Sequence, residues 1–454
     1  MPAAVELRDL TKRFGNVIAN AGVNLQVESG TIHGVVGENG AGKSTAMKML
    51  YGIFPPDAGE ILVHGEKRGW HSPADAIAAG IGMVHQHFML AGPHTALDNI
   101  LLGAEPVKLG VIERKKARQK LEALARQYEL PVDLTKPIEE LPVGVQQRVE
   151  ILKLLYRDAK ILILDEPTAV LTPQETNVLF QHLKLLRDEG KTIILITHKL
   201  KEVMVFTDHV TVLRAGKVTG EMPTAQTNPQ ELASLMVGRK VSLSIEVAAG
   251  QPRTEVALQT PELTVRCGEI VGIAGVEGNG QSELLREILR RQPRTNIGFI
   301  PEDRQLEGLL LDRPVSENFR LGLHRSFSRV ELLQAAAVAV EEYDVRPRDL
   351  TIPARQLSGG NQQKLIVARE FYRKPKLLIA AQPTRGVDVG AIEFIHQRIV
   401  RARDGGAGVL LVSFELDEIL TLSDRILVMY EGRIVAEFPR GASERELGLK
   451  MAGS

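Results

Sequence analysis

The residues best suited to chemistry stand together early in the chain, at Gly37-Glu38-Asn39-Gly40-Ala41-Gly42-Lys43-Ser44-Thr45. Their spacing fits G-x-x-x-x-G-K-[ST]. In that pattern glycines let the backbone curl until successive N–H groups face one point, and the lysine and the hydroxyl reach the same point. Such a cradle suits nucleotide phosphates, with the positive end of the following helix behind it. Lys43 would reach the β- and γ-phosphates, and the Ser44 hydroxyl would hold Mg²⁺. Later in the chain, the apolar run Ile161 to Leu164 ends in Asp165-Glu166, and Thr192 to Ile196 delivers Thr197-His198. Runs apolar at every position imply strands covered on both faces, hence a parallel sheet, and the carboxyl edge of such a sheet is where α/β ligands sit.

The elements around these residues follow from local patterns. Ile32 to Val36 reads as the buried strand entering the loop and Thr45 to Tyr51 as the helix leaving it. Residues 5 to 36 alternate apolar and polar between Gly15, Gly22 and Gly30, which predicts antiparallel strands. Within them Phe14 is either strand core or a ring available to stack on a base. Gly59 to Gly65 reads as a hairpin, and Ile81 to Leu90 as a strand whose end carries His85, Gln86 and His87. The basic run from 113 to 130 places Arg114, Lys115, Lys116, Arg118 and Lys120 beside Leu121 and Leu124 at helical spacing. A solvated helix face accounts for it more simply than an anion site. Leu141 to Arg148 leads a further helical run to Tyr156.

Composition narrows the class. At 454 residues the chain exceeds one ordinary core, so two domains are expected. Lys+Arg and Asp+Glu both number 56, which removes any global electrostatic pull toward nucleic acid or anionic lipid. The single cysteine, Cys267, rules out an intrachain disulfide and a multi-cysteine zinc site. No run approaches eighteen apolar residues, so no membrane span is expected. Met1 to Leu10 contains Glu6, Arg8 and Asp9 and reads as no secretory signal, which points to the cytoplasm.

The chain also repeats itself. Gln86 aligns with Glu302, Leu141 with Leu357, Glu166 with Gln382 and His198 with Phe414, each pair 216 positions apart. The phosphate loop returns as Gly275 to Ser282, yet Lys43 and Gln281 are 238 apart. The second copy has therefore lost 22 residues between loop and Glu302, where the first carries its hairpin, and Val256 to Cys267 replaces a longer lead-in. Domains at 1–240 and 255–454 are expected, joined by a linker at 241–254 that contains Gly250-Gln251-Pro252.

Taken in order, the phosphate loop, Gln86, Leu357-Ser358-Gly359-Gly360-Asn361-Gln362-Gln363, Asp165-Glu166 and His198 resemble an ATP-binding cassette ATPase. With a degenerate second copy, the chain resembles the fused tandem ATPases of bacterial sugar and nucleoside importers. His85 to Leu90, Thr168 to Pro173 and Gly278 to Ser282 resemble the nucleoside, basic membrane protein associated branch most, with ribose and galactose importers the alternative. The resemblance implies an α/β fold of two tandem phosphate-loop nucleotide-binding domains. Each would have a mostly parallel core sheet, an antiparallel β subdomain and a helical subdomain, the second copy being trimmed.

The resemblance also implies roles. ATP and Mg²⁺ would be the cofactors, with Phe14 stacking on adenine and Gly37 to Thr45 around the phosphates. Ser44, Gln86 and Asp165 would attend the metal, Glu166 would polarise the attacking water, and His198 would contact the γ-phosphate. Such halves face head to tail, so Ser358, Gly359, Gly360 and Asn361 would complete the first site. The second site would be crippled by Pro142, Gln281, Ala381, Gln382 and Phe414. The implied partners are two integral-membrane permease subunits and, through them, an extracytoplasmic solute-binding protein, with no nucleic acid. The implied place is the cytoplasmic face of the bacterial inner membrane. Tandem cassettes acting on ribosomes or in DNA repair fit less well, because the linker is short, the second site is lost and zinc-binding cysteines are missing.

Overall fold

Strands apolar on both faces need cover on both faces, and Ile161–Asp165 illustrates it: Ile161, Leu162, Ile163 and Leu164 are all 0% exposed. The computed structural model describes every residue except 1, 2, 16, 71, 87, 169, 170, 172, 240–246, 277, 293–295, 324–326, 388, 452 and 454. Expectations touching His87, Ala169, Val170, Thr172, Glu277 and the first part of the 241–254 linker lie outside the described residues.

The chain divides into two compact units, Met1–Val241 and Ser242–Ser454. In the first, a six-stranded sheet runs in the order Lys217–Pro223, His209–Arg214, Ile32–Gly37, Thr192–Thr197, Ile161–Asp165, Ile81–Val84. All neighbours pair parallel except the two outermost strands at the Lys217–Pro223 end. Register sets the functional edge: Val36 pairs with Thr197, and Asp165 with Ile196, so Gly37, Asp165 and Thr197 finish side by side. A separate four-stranded antiparallel sheet has the order Val17–Glu28, Ala3–Phe14, Ala58–Val63, Glu66–Arg68. Its apolar face meets the helix Lys43–Leu50 in a core of Val5, Leu7, Val27, Met47 and Leu50, with Trp70 packed half-buried against it.

Three helices, Ala96–Leu101, Arg114–Gln127 and Val143–Tyr156, form the helical part of this unit around Ile100, Leu121, Val149 and Leu152. The basic helix buries only Ala117 and Leu121, and its cations pair at the surface, Arg114 with Asp98 at 2.6 Å and Arg118 with Glu122 at 2.8 Å. Its polar face is a solvated one.

The second unit repeats the core sheet strand for strand, in the order Ile297–Ile300, Leu377–Ala381, Gly408–Ser413, Ile270–Ala274, Arg425–Tyr430, Arg433–Pro439. Its helical part is Val315–Arg320, Arg329–Glu342 and Gly359–Tyr372. The four-stranded sheet is reduced to one hairpin, Val256–Gln259 with Thr264–Arg266. Residues from 247 onward pack on this unit: Val247 is in its core and the Gly250 N–H donates to Asp424 at 2.6 Å. Cys267 is buried.

Candidate active site

The phosphate loop runs from the end of Ile32–Gly37 to the start of Lys43–Leu50. Gly42 sits at φ 98°, where a Cβ would come within 2.4 Å of the Ala19 carbonyl oxygen, and a Cβ on Gly37 would come within 2.3 Å of that of Leu213. Glycine is required at both. The Ala41 N–H donates to the Glu38 carbonyl at 3.0 Å, closing the turn, with Asn39 and Gly40 exposed at its tip and Thr45 half-buried in the helix. The buried Lys43 ammonium crosses the loop to donate to the carbonyls of Gly37 at 2.7 Å and Glu38 at 3.0 Å. Burial lowers its pKa, with the carboxylates of Glu166, Asp165 and Glu38 opposing that shift.

Around this loop the sheet edge brings five expected residues into two hydrogen-bonded groups. Ser44 Oγ donates to Asp165 Oδ1 at 3.1 Å. Glu166 Oε2 accepts from Gln86 Nε2 at 3.3 Å, and Glu166 Oε1 lies 3.0 Å from His198 Nδ1. Burial raises the Asp165 carboxyl above its ordinary range, opposed by the Ser44 bond. Burial acts on Glu166 in the same sense, but the His198 bond and the His198 and Lys43 charges outweigh it, and Glu166 ends below its ordinary value. Glu166 adopts φ 49°, a left-handed conformation costly for a non-glycine residue and concentrated at functional sites. The donors here are oxygens, the type that suits a hard divalent cation.

Phe14 is 44% exposed at the end of its strand, so it is not strand core; its ring meets Phe54 edge-on at 5.4 Å and lies 5.7 Å from Lys12 Nζ. Ser358, Gly359, Gly360 and Asn361 stand at the N-terminus of helix Gly359–Tyr372 in the second unit. There the Ser358 hydroxyl accepts from the Asn361 N–H at 3.4 Å and from its side-chain amide at 2.8 Å. The matching first-unit helix, Val143–Tyr156, starts from Pro142 and has no side-chain cap.

The family described as ABC transporter matches residues 21–169 and 258–385, which contain both phosphate loops and both carboxyl strand ends. The chain belongs to the ABC transporter family. Among its relatives, guanosine import ATP-binding protein NupO of Bacillus subtilis is 49% identical over 100% of this chain and 98% of its own. Nucleoside import ATP-binding protein NupA of Lactococcus lactis is 45% identical over 99% of this chain and 98% of its own. Glucose import ATP-binding protein TsgD13 of Haloferax volcanii is 44% identical over 99% of this chain and 96% of its own. No helix among the described residues is long and apolar enough to cross a membrane.

As an ABC ATPase, the chain binds ATP with cassette machinery that its second unit keeps in outline. Gln382 repeats the left-handed backbone of Glu166 at φ 48°, and its N–H donates to Val412 as that of Glu166 does to Ile196. Gln363 ties helix Gly359–Tyr372 to the Pro383 carbonyl at 2.8 Å, as Gln147 ties Val143–Tyr156 to that of Pro167 at 2.7 Å.

Two features of the cassette escape sequence reasoning. Buried Glu202 accepts from Thr168 Oγ1 at 2.6 Å and from Thr197 Oγ1 at 3.1 Å, bracing the loops after Asp165 and before His198. Its only signal is a carboxylate on the buried side of helix Leu200–Phe206, next to Leu200 and Val203. The other is the contact of Ser282 with Glu302, signalled only by the alignment of Glu302 with Gln86.

Proposed function

We propose that this chain is the ATP-hydrolysing subunit of an importer for nucleosides. In that reading it works from the cytoplasmic face of the inner membrane with two permease subunits, supplied by an extracytoplasmic solute-binding protein. The observation that carries the hydrolytic part is Glu166 held between His198 and Gln86, beside Lys43, Ser44 and Asp165. The substrate part rests on NupO and NupA, each similar across the whole chain. TsgD13, only slightly less similar, favours a sugar as the second reading.

The chemistry follows from these groups. Ser44 and Asp165, with Gln86, would hold Mg²⁺, which when bound neutralises charge on the phosphates. Lys43 adds a cation against the β- and γ-oxygens from beneath the loop. Glu166, kept ionised by His198 and Lys43, accepts a proton of the attacking water as its oxygen bonds to the γ-phosphorus and the bond to the bridging oxygen breaks. The imidazole of His198 orients that carboxylate and faces the γ-phosphate. The Phe14 ring supports adenine. Deleting the gene and measuring uptake of labelled nucleosides, ribose and glucose tests this. Loss of nucleoside uptake alone is expected, and loss of sugar uptake with nucleoside uptake intact moves the assignment to the sugar reading.

A further inference from the structure

A small hairpin of the first unit lies outside both of its larger sheets. Val107–Lys108 pairs antiparallel with Val111–Ile112 as a sheet of two strands, joined by Leu109 and Gly110. These two sit at φ 52° and 79°, the left-handed pair that a type I′ turn requires and that asparagine, aspartate or glycine ordinarily supplies. Leucine there is strained and gains no packing, because Leu109 is 97% exposed. Val107, Val111 and Ile112 are exposed as well, and so is Leu102 ahead of the hairpin. The hairpin thus presents an apolar tip to water, and exposed apolar patches mark interaction sites.

The charge beside this tip is equally uneven. Helix Arg114–Gln127 starts just after Ile112 and carries Arg114, Lys115, Lys116, Arg118, Lys120 and Arg126 against the single carboxylate of Glu122. Its second-unit counterpart, Arg329–Glu342, has Arg329 alone against Glu331, Glu341 and Glu342. The first turn of the basic helix gathers cations and holds no acid, the arrangement that the helix dipole disfavours. Asp98, Glu113 and Glu122 pair with Arg114, Lys116 and Arg118, whereas exposed Lys108 and Lys115 have no ion-pair partner among the described residues. Leu102, Ile112 and Arg114 line one surface cavity of about 350 Å³, which makes the apolar tip continuous with the basic turn.

An apolar tip flanked by unpaired cations matches a bilayer with anionic headgroups, where the acyl boundary takes the apolar side chains and phosphates meet the lysines. A nucleic acid would answer the cations and leave Leu109 in water. We propose that the Val107–Ile112 hairpin is a lipid anchor: Leu109 and its apolar neighbours enter the interface of an anionic bilayer, and Lys108 and the first turn of Arg114–Gln127 bind the headgroups. The chain as a whole is neutral, with 56 residues of each sign, so the attraction is confined to this face and orients the first unit on the bilayer. This contact is the chain's own, separate from any permease, and independent of the solute imported.

Sedimentation of the purified full chain with vesicles tests it. Phosphatidylcholine vesicles containing about a third phosphatidylglycerol should bind the chain at least about tenfold more tightly than phosphatidylcholine alone. Leu109→Asn suits the turn better than leucine, yet should weaken binding to the anionic vesicles at least about tenfold, an outcome that a merely structural role for Leu109 would not give. Lys108→Gln combined with Lys115→Gln should weaken it about tenfold or more, with the urea midpoint unchanged. Because Cys267 is buried, a thiol-reactive environment-sensitive fluorophore on Leu109→Cys reports on the tip, and its emission should shift to the blue on anionic vesicles. No preference for anionic vesicles, binding untouched by Leu109→Asn, or a label that stays in water while the chain sediments overturns the proposal. So does a Leu109-dependent dimer in sedimentation velocity, or release of the permease by Leu109→Asn in lipid-free detergent, since either gives the tip to a protein. Vesicle binding reads no transport, so this proposal and the uptake reading fail separately.

Discussion

The two phosphate loops of this chain share a backbone and differ in chemistry. Both keep glycines at φ 81–98°, both place a serine at the first turn of the following helix, and both lie beside a residue forced into the left-handed region, Glu166 or Gln382. Yet Lys43 has become Gln281, Asp165 has become Ala381, Glu166 has become Gln382 and His198 has become Phe414. Each replacement is uncharged, and each is accommodated locally: Gln281 donates to the loop as Lys43 does, and Gln382 accepts from the Phe414 backbone. Cradle shape is thus a property of the fold, whereas charge at the cradle is carried by a few side chains that can be exchanged without reshaping it.

Three experiments break or sharpen that comparison. The largest effect is expected from Glu166→Gln, which gives the first unit the residue of the second. Steady-state ATPase, measured with the permease present, falls by at least about a hundredfold because a positioned general base contributes roughly 10²–10⁴-fold, while ATP still binds. The reciprocal Gln382→Glu restores no turnover, since Gln281 and Phe414 still leave the phosphate without its cation and imidazole. Activity near that of the unaltered chain in Glu166→Gln removes Glu166 from the role of base.

A smaller effect is expected in affinity. Lys43→Gln exchanges a charge-assisted hydrogen bond, worth roughly 1.5–3 kcal/mol, for a neutral one, worth roughly 0.5–1.5 kcal/mol, so first-site ATP binding weakens about tenfold. Equilibrium dialysis in a Glu166→Gln background measures it. If Lys43→Gln leaves the affinity unchanged, the backbone N–H groups carry the binding and the side chains count for less than argued above.

The smallest effect concerns stability. His33 is 1% exposed, Nε2 lies 2.8 Å from Thr211 Oγ1, and the ring stacks on His209 at 6.3 Å. Burial first, then the His209 charge, pushes its pKa down to about 3. In the unfolded chain a histidine titrates near 6.5. Between those values unfolding takes up a proton, so stability is complete at neutral pH and falls on acidification by up to about 1.4 kcal/mol per pH unit. The second unit has Val271 in the equivalent place, paired to Leu410 as His33 is to Ile194. The urea midpoint of the first unit should fall from neutral to acidic pH, and His33→Val should flatten that slope. An unchanged slope in the variant assigns the acid sensitivity elsewhere.

Much of this architecture is legible in the chain itself because it is written in contiguous stretches. The loop from Gly37 to Thr45 and the runs ending in Asp165-Glu166 and Thr197-His198 each carry strand, turn and reactive side chain within a few residues. The shorter second copy is legible as well, as a 22-residue difference in spacing, and it corresponds to the hairpin that stands where the first unit has four strands. What is not legible depends on pairing between distant segments. Phe14 could not be placed by alternation because its strand shifts register between Leu10 and Lys12 and again between Lys12 and Arg13, and each shift flips which face the following side chains take. Glu202 bonds Thr168 across 34 positions and Thr197 as well, and Glu302 reaches Ser282 across 20 positions, from the end of Ile297–Ile300 to the helix that follows the second phosphate loop.

Trp70 is the only tryptophan in the chain, and it packs half-buried against the antiparallel-sheet core that belongs to the first unit alone. Its emission, excited apart from tyrosine, therefore watches one half of a molecule whose halves are otherwise near copies. Its Cβ lies 3.2 Å from where a Cβ on Gly52 would stand, just past the end of the helix that starts at Lys43. The fold has in effect placed an optical label behind the phosphate loop of the first unit, and left the other loop dark.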